Sequence, residues 1–247
     1  MRTDLPPLGR GMLCKWEALP AFMRTEEVRV YYDALRRHKA GLMVKRTFDF
    51  AASSVLLALL APLFLFLAVW IRLDSKGPAF YRQERVTQYG RRFYIYKFRT
   101  MVDHADQTGA QAGSLVTVKE DARITRAGRK LRGCRLDELP QLINVWKGEM
   151  SFVGTRPEVA RYVRAYTKEM YATLLLPAGV TSEASIRFKD EGALLAEAVS
   201  AGTDIDEAYI RTALPEKMRW NLRELLRFSL GREACTLLRT VYEVLRP

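Results

Sequence analysis

Histidine is scarce in this chain of 247 residues: His38 and His104 are the only two, far apart in sequence. Two isolated imidazoles make neither a metal triad nor a Ser-His-Asp set, so neither is assigned a catalytic role. Cysteine is nearly as sparse. Cys14, Cys134 and Cys235 are odd in number, widely separated and in no CxxC pattern, which argues against a disulfide framework or a thiolate metal cluster. They read as reduced thiols in a protein facing a cytosol. Acidic residues are also under-represented, 28 against 40 Lys and Arg, which gives a formal charge of +12 and a pI of about 9.8. So basic a chain is expected to meet anionic partners: nucleic acid, phosphorylated substrate or anionic lipid.

One stretch lacks charge altogether. FAASSVLLALLAPLFLFLAVWI, residues 50–71, is 22 residues long and bracketed by Asp49 and Arg72. As a straight helix it would reach roughly 33 Å, enough to cross the hydrocarbon core of a bilayer. Pro62 near its middle has no amide hydrogen and crowds the carbonyl of Ala58, so a bend is expected at Ala61-Pro62. Ser53 and Ser54 are candidate donors for the freed backbone groups. Basic residues flank both ends, Arg36, Arg37, Lys39, Lys45 and Arg46 before it and Arg72, Lys76, Arg82 and Arg85 after it. Such flanks favour the cytoplasmic side. A re-entrant helix-break-helix over about 46–72 places both there; a spanning helix and a buried core helix remain open. With 49 residues ahead of it, the run is not read as a cleaved signal peptide. A nucleic-acid binder has no need of this segment, whereas a membrane enzyme handling phosphates needs both the segment and the charge.

Residues 1–20 are rich in Pro and Gly and read as irregular. From about Thr25 to Met43 the pattern is helical: Glu26 and Glu27 lead, and Val28, Tyr31, Tyr32 and Leu35 follow at i, i+3, i+4, i+7. Its apolar face suits either a membrane interface or packing on the main domain. The aromatic-rich segments at 80–86 and 92–99 predict a β-hairpin with Gly90 in its turn. Residues 102–118 read as a mobile loop, a candidate lid over substrate. In the C-terminal third, Met218, Leu222, Leu225 and Leu226 share one helical face, and after Gly231 another runs through Leu237, Leu238, Val241 and Val244 or Leu245. Both suit interfacial helices or ordinary packing.

The chemistry concentrates at 119–158. Six basic residues between Arg123 and Arg135 (Arg123, Arg126, Arg129, Lys130, Arg132, Arg135) precede the adjacent acids Asp137 and Glu138. Leu139, Leu142, Ile143 and Trp146 have helical spacing, Gly148 is a C-cap candidate, and Pro140 restricts the helix start to near Asp137. An acidic pair at a helix start has a plain explanation in the helix dipole. The guanidinium cluster ahead of it exceeds what a helix end requires. Arginines that clamp phosphate, one carboxylate for a metal and another to attack phosphorus would together make a phosphate-plus-Mg²⁺ site. Residue chemistry alone leaves phosphotransferase and phosphate-binding module both open.

Five blocks carry a resemblance: KRTFDF at 45–50, the apolar run with its central proline, DSKGPAFYRQERVTQYGRRFYIYKFRTM at 74–101, ARITRAGRKLR at 122–132 and LDELPQLINVWKGEMSFVGTRPE at 136–158. Together they resemble the bacterial sugar transferases, the monotopic polyprenyl-phosphate phosphoglycosyl transferases, in their small form. The resemblance implies transfer of a sugar-1-phosphate from a UDP-sugar to undecaprenyl phosphate, with release of UMP, as the first membrane step of glycan or polysaccharide assembly. It implies Asp137 as the nucleophile forming an aspartyl-phosphosugar, with Glu138 beside it holding Mg²⁺. Lys97, Arg99, Arg132, Arg156 and Glu158 would handle phosphates, metal and nucleotide. The chain departs from the usual pattern at Thr155, where proline is common, and at Ala61, where serine often precedes the break proline.

The expected fold is α+β and mainly helical. A re-entrant membrane helix and a hairpin at about 80–99 accompany interfacial amphipathic helices around a cytosolic catalytic core. The expected division is an N-terminal extension at 1–44, the re-entrant helix at 45–73 and a membrane-associated catalytic domain at 74–247. The expected location is the bacterial inner membrane, facing the cytosol. Expected partners are a UDP-sugar, undecaprenyl phosphate and membrane lipid, with no nucleic acid and a homodimer left open. The compact form and the block GVTSEASIRF at 179–188 resemble acetamido-sugar enzymes. A hexose-1-phosphate transferase and a catalytically idle scaffold of a glycan-assembly complex are the alternatives.

Overall fold

The computed structural model describes residues 13–102, 123–188 and 204–246. Residues 1–12 of the irregular N-terminal stretch, and the expected loop with His104 apart from Val102, lie outside them.

Helix α1, Glu26–Arg36, starts where the Thr25 side chain accepts a hydrogen bond from the amide of Val28. Val28, Tyr31, Tyr32 and Leu35 are buried in one cluster with Leu174, Leu175, Leu222 and Leu225. The apolar face therefore packs on protein. The helix expected to run to Met43 is interrupted at Arg37 and His38, and α2, Lys39–Leu59, begins beyond that turn.

Helix α3, Ala61–Asp74, follows α2 across a 61° bend. Pro62 lies in the first turn of α3, where a missing amide hydrogen costs nothing. The Ala58 carbonyl is not orphaned, because the Leu60 amide turns back to it as well as to Leu56. The serines play a different part from the one expected. Ser53 and Ser54 both donate to the Phe50 carbonyl, at 3.1 and 2.7 Å, since a helical serine hydroxyl reaches one turn back along its own helix and not forward to the break. Among the described residues no single helix is long and apolar enough to cross a membrane, whereas the bent pair together passes on length and composition alone. Val55, Leu59, Leu65, Phe66, Val69 and Leu73 are exposed on it.

Strands β1, Phe80–Val86, and β2, Arg92–Phe98, form the predicted antiparallel hairpin, Phe80 opposite Phe98 and Val86 opposite Arg92. Its turn places Tyr89 and Gly90 at positive φ (59° and 76°). Phe93 and Ile95 pack on Val145 and Met150, whereas Phe98 joins Leu67, Ile71 and Leu131.

Helix α4, Arg126–Gly133, leads into a 3-10 turn, Leu136–Glu138, and then α5, Gln141–Lys147. The acidic pair does not open the α-helix, as the spacing predicts. Pro140 has no amide to offer the Leu136 carbonyl, which accepts from Leu139 in a tighter turn instead, so the α-helix starts three residues after Glu138. Gly148 caps α5 at φ 83°.

Strand β3, Met150–Val153, pairs in parallel with β4, Ala178–Thr181, across a connection containing α6, Ala160–Val163. Gly154 and Gly179 approach so closely that a Cβ on Gly179 would lie 2.2 Å from Gly154 backbone atoms. After β4 come α7, Glu183–Arg187, then α8, Ile205–Ala208, which continues through a π turn at Tyr209–Ala213 into α9, Leu214–Leu226. Helix α10, Leu230–Leu245, ends the fold. The two C-terminal faces differ: Met218, Leu222 and Leu225 of α9 are buried, whereas Leu238, Val241, Tyr242 and Val244 of α10 are exposed. The described residues form a mainly helical α+β fold, as expected.

Candidate active site

Three elements converge on the turn that carries the acidic pair. Strand β2 supplies Lys97, whose ammonium donates to Glu138 Oε1 at 3.0 Å. The loop after β3 supplies Arg156, which grips both Glu138 oxygens and donates to the Val180 carbonyl at 3.3 Å. Helix α4 supplies Arg132, held by Nε donation to Thr100 Oγ1 at 2.9 Å. The 3-10 turn carries Asp137 and Glu138, and Arg135, in the left-handed region at φ 52°, sets its start.

The neighbouring carboxyls are pushed in opposite directions. Burial pushes Asp137 above the usual aspartate range, and Glu138 pushes the same way, against Lys97, Arg132 and Arg156. Burial would also raise Glu138, but Arg156 and Lys97 outweigh it and hold this carboxyl well below the usual range. Burial lowers the Lys97 ammonium, opposed by Glu138. Glu138 is thus an anion paired with two cations. Asp137 is buried next to three cations, and among the described residues its carboxylate accepts no hydrogen bond.

Two expected site residues are placed elsewhere. Arg99 donates to the carbonyls of Lys76 and Ser75 at 2.6 and 2.7 Å and to the Ser75 hydroxyl, and so closes the C-terminal end of α3. Glu158 is buried behind Arg156, accepting from the Tyr209 hydroxyl at 2.6 Å with Lys217 at 3.7 Å and Arg85 at 4.0 Å. Tyr209 and Lys217 lie more than fifty residues downstream, which is why spacing gave no sign of them.

KRTFDF acquires a structural role that its residue pattern did not disclose. Lys45 donates to the Val153 carbonyl at 2.8 Å and pairs with Glu233. Arg46 caps the end of α5 through the carbonyls of Val145 and Trp146 at 2.8 and 3.1 Å. The buried Asp49 accepts from the Ser151 hydroxyl at 2.7 Å and the Phe152 amide at 3.2 Å. Lys45 and Asp49 fasten the middle of α2 to β3, the strand that leads to Arg156, and Arg46 fastens it to the end of α5.

A cavity of about 400 Å³ opens beside Glu138. Glu138 and Arg156 border it, Leu56 and Leu60 at the helix break line it, and Gln141 of α5 and Val244 of α10 stand in its wall. Ala61 and Pro62 begin α3 immediately after that break.

A family model described as bacterial sugar transferase matches residues 40–246. Among curated proteins, the chain is 38% identical over 170 residues to the UDP-N-acetylgalactosamine-undecaprenyl-phosphate N-acetylgalactosaminephosphotransferase of Aeromonas hydrophila; the match covers 64% of this chain but only 39% of that protein. It is 38% identical over 207 residues to the UDP-glucose:undecaprenyl-phosphate glucose-1-phosphate transferase of Caulobacter vibrioides, covering 81% of this chain and 69% of the relative. It is 36% identical over 154 residues to the undecaprenyl-phosphate galactose phosphotransferase of Salmonella typhimurium, covering 58% of this chain and 32% of that protein.

Proposed function

The chain belongs to the bacterial sugar transferase family, and on that premise we propose that it moves a sugar-1-phosphate from a UDP-sugar to undecaprenyl phosphate. The observation that carries the reading is the Asp137 carboxylate, buried beside Lys97, Arg132 and Arg156 and without a hydrogen-bond partner among the described residues. A carboxylate held in a cationic setting and left unbound is equipped to be a nucleophile toward a polyanion. One Asp137 oxygen attacks the β-phosphorus, the bond from that phosphorus to the α-phosphate oxygen breaks, and UMP leaves with the electron pair. An oxygen of the lipid phosphate then attacks the same phosphorus, the acyl phosphate bond breaks, and the Asp137 carboxylate is regenerated beside a polyprenyl diphosphate sugar. Lys97, Arg132 and Arg156 offset charge as the phosphates approach.

Two adjacent carboxylates with substrate phosphate oxygens are an oxygen donor set suited to Mg²⁺. Glu138 and Asp137 would hold the ion, which when bound supplies further charge neutralisation at the diphosphate. Among the described residues no larger group of metal-binding side chains gathers.

The re-entrant reading is supported by how the bent pair is fastened. The head of the apolar run, midway along α2, is tied to β3 and α5 by Lys45, Arg46 and Asp49, and the end of α3 by Arg99 and by Asp74, which accepts from the Ala127 amide at 3.0 Å. Both ends thus join one body. The exposed apolar side chains of α2, α3 and α10 are suited to lipid, which would place the protein on the cytosolic face of the bacterial inner membrane. The cavity between the helix break and Glu138 gives a lipid phosphate a route to the acidic pair. Cysteines introduced at Lys39 and Lys76 should be labelled from the same side of sealed vesicles; labelling from opposite sides would end the re-entrant reading.

The donor sugar we propose is an acetamido sugar, on the resemblance of the block at 179–188. The test is UMP release with undecaprenyl phosphate, Mg²⁺ and a panel of UDP-sugars. UDP-acetamido sugars are expected to be turned over fastest. Preference for UDP-glucose or UDP-galactose would overturn the sugar assignment, and absence of UMP release with every donor would overturn the activity.

A further inference from the structure

Gln141 and Asn144 sit one turn apart on α5, and both are fully buried. Asn144 is completely engaged. Its Oδ1 accepts from the Tyr96 amide at 3.0 Å, and its Nδ2 donates to the Tyr94 carbonyl at 2.8 Å and to Glu149 Oε2 at 2.7 Å. Gln141 is the opposite: neither its amide oxygen nor its amide nitrogen has a hydrogen-bond partner. Among the described residues it alone has two buried side-chain polar atoms in that condition. Burying an unpaired carboxamide is costly, and an apolar residue of the same shape would be tolerated better here. Nothing in the packing of α5 therefore calls for glutamine at this position.

The cavity does. Gln141 stands in the wall of the 400 Å³ space that Glu138 and Arg156 border. A carboxamide offers two donors and an acceptor without charge, which suits neutral groups that both donate and accept: the hydroxyls and acetamido group of a sugar, or the imide edge of uracil. Phosphate already has its partners in Lys97, Arg132 and Arg156. Chemistry separates the two remaining sources. The sugar is joined directly to the phosphate that Asp137 would attack, whereas the base is a ribose and a further phosphate away. Gln141 lines the same cavity as Glu138, the neighbour of Asp137, which favours the nearer group.

We propose that Gln141 recognises the glycosyl unit of the donor, its carboxamide bonding ring substituents next to the transferred phosphate. The proposal rests on the phosphoglycosyl transferase reading above. The test compares the full chain with Gln141→Met, which keeps length and loses both hydrogen-bonding functions, by unfolding midpoint, UDP binding and UMP release. The variant should unfold at the same temperature as the parent or higher, bind UDP within about twofold, and lose about 10- to 100-fold in kcat/KM for the preferred UDP-sugar. Gln141→Glu keeps an acceptor and the shape, and should fall between the two in kcat/KM. A lower unfolding midpoint would make Gln141 a structural residue. UDP binding weakened as much as UDP-sugar turnover would assign it to the base, and unchanged turnover would leave it no role in the donor site. Each of these overturns the proposal while the parent remains active. A parent inactive with every UDP-sugar would instead sink the transferase reading, and this one with it.

Discussion

Two charged clusters hold this molecule together, and they handle charge in contrary ways. At the foot of α2, Lys45, Arg46 and Asp49 direct their charges mostly at neutral partners: carbonyls of Val145, Trp146 and Val153, the Ser151 hydroxyl and the Phe152 amide. Every interaction there is a fastening. Around the 3-10 turn, the charges face one another. Glu138 pairs with both Lys97 and Arg156, while Asp137 keeps the same cations as neighbours and accepts no hydrogen bond among the described residues. Satisfied polar groups mark the scaffold, and incompletely satisfied ones mark where a substrate belongs.

Substitutions can break this contrast. The largest effect is expected from Asp137→Asn, which should cost at least about 10³-fold in UMP release. It should also leave the unfolding midpoint unchanged or raised, since burial of that charge opposes folding. Surviving turnover would refute the covalent mechanism. Asp49→Ala should do the reverse: it leaves the Ser151 hydroxyl and Phe152 amide unpaired and should lower stability by roughly 2–3 kcal/mol. The fraction that stays folded should retain its kcat, read from unfolding curves and from turnover below the transition. Loss of activity without loss of stability would mean that the fastening is itself part of the site.

A smaller effect, confined to acid pH, sharpens the contrast within the dyad. The Asp137 pKa is raised by burial, so log kcat/KM should fall as pH drops through a value above the usual aspartate range. The same raised value means that the folded state binds the proton more tightly than the unfolded chain. The stability from this group is therefore fully present at low pH and lost as pH rises through the raised value. Glu138 has the opposite sign. Its depressed pKa gives stability that is present above the usual glutamate range and lost as pH falls toward the depressed value. Comparing pH-stability curves of the parent and Asp137→Asn isolates the first contribution; identical curves would show that Asp137 is not raised.

Much of this was legible in the residue pattern where the cause is local. Thr25 with Glu26 and Glu27 marks a helix start, and Gly148 marks a helix end. Alternation at 92–98 with Gly90 in the turn marks a hairpin, and Pro62 a bend. Such signals depend on dihedral preferences and on neighbours within a few residues. The spacing places the start of α5 about one turn too early, because a proline can follow a 3-10 turn as readily as open a helix.

By itself, the sequence determined the elements, the bend and which residue types could handle phosphate. Tertiary structure decided which of them meet. Lys97 reaches Glu138 across 41 positions and Arg156 across 18, while Arg99, two residues from Lys97, turns instead to the end of α3. Glu158 is likewise taken by Tyr209 of the π turn. Asn144 and Gln141 are both plain carboxamides in the sequence, and only the surroundings brought by β2 and the cavity make one a strut and leave the other open. The physical reason is that helix and strand propensities act over a few residues. Hydrogen-bond satisfaction and burial depend on whatever the fold places alongside.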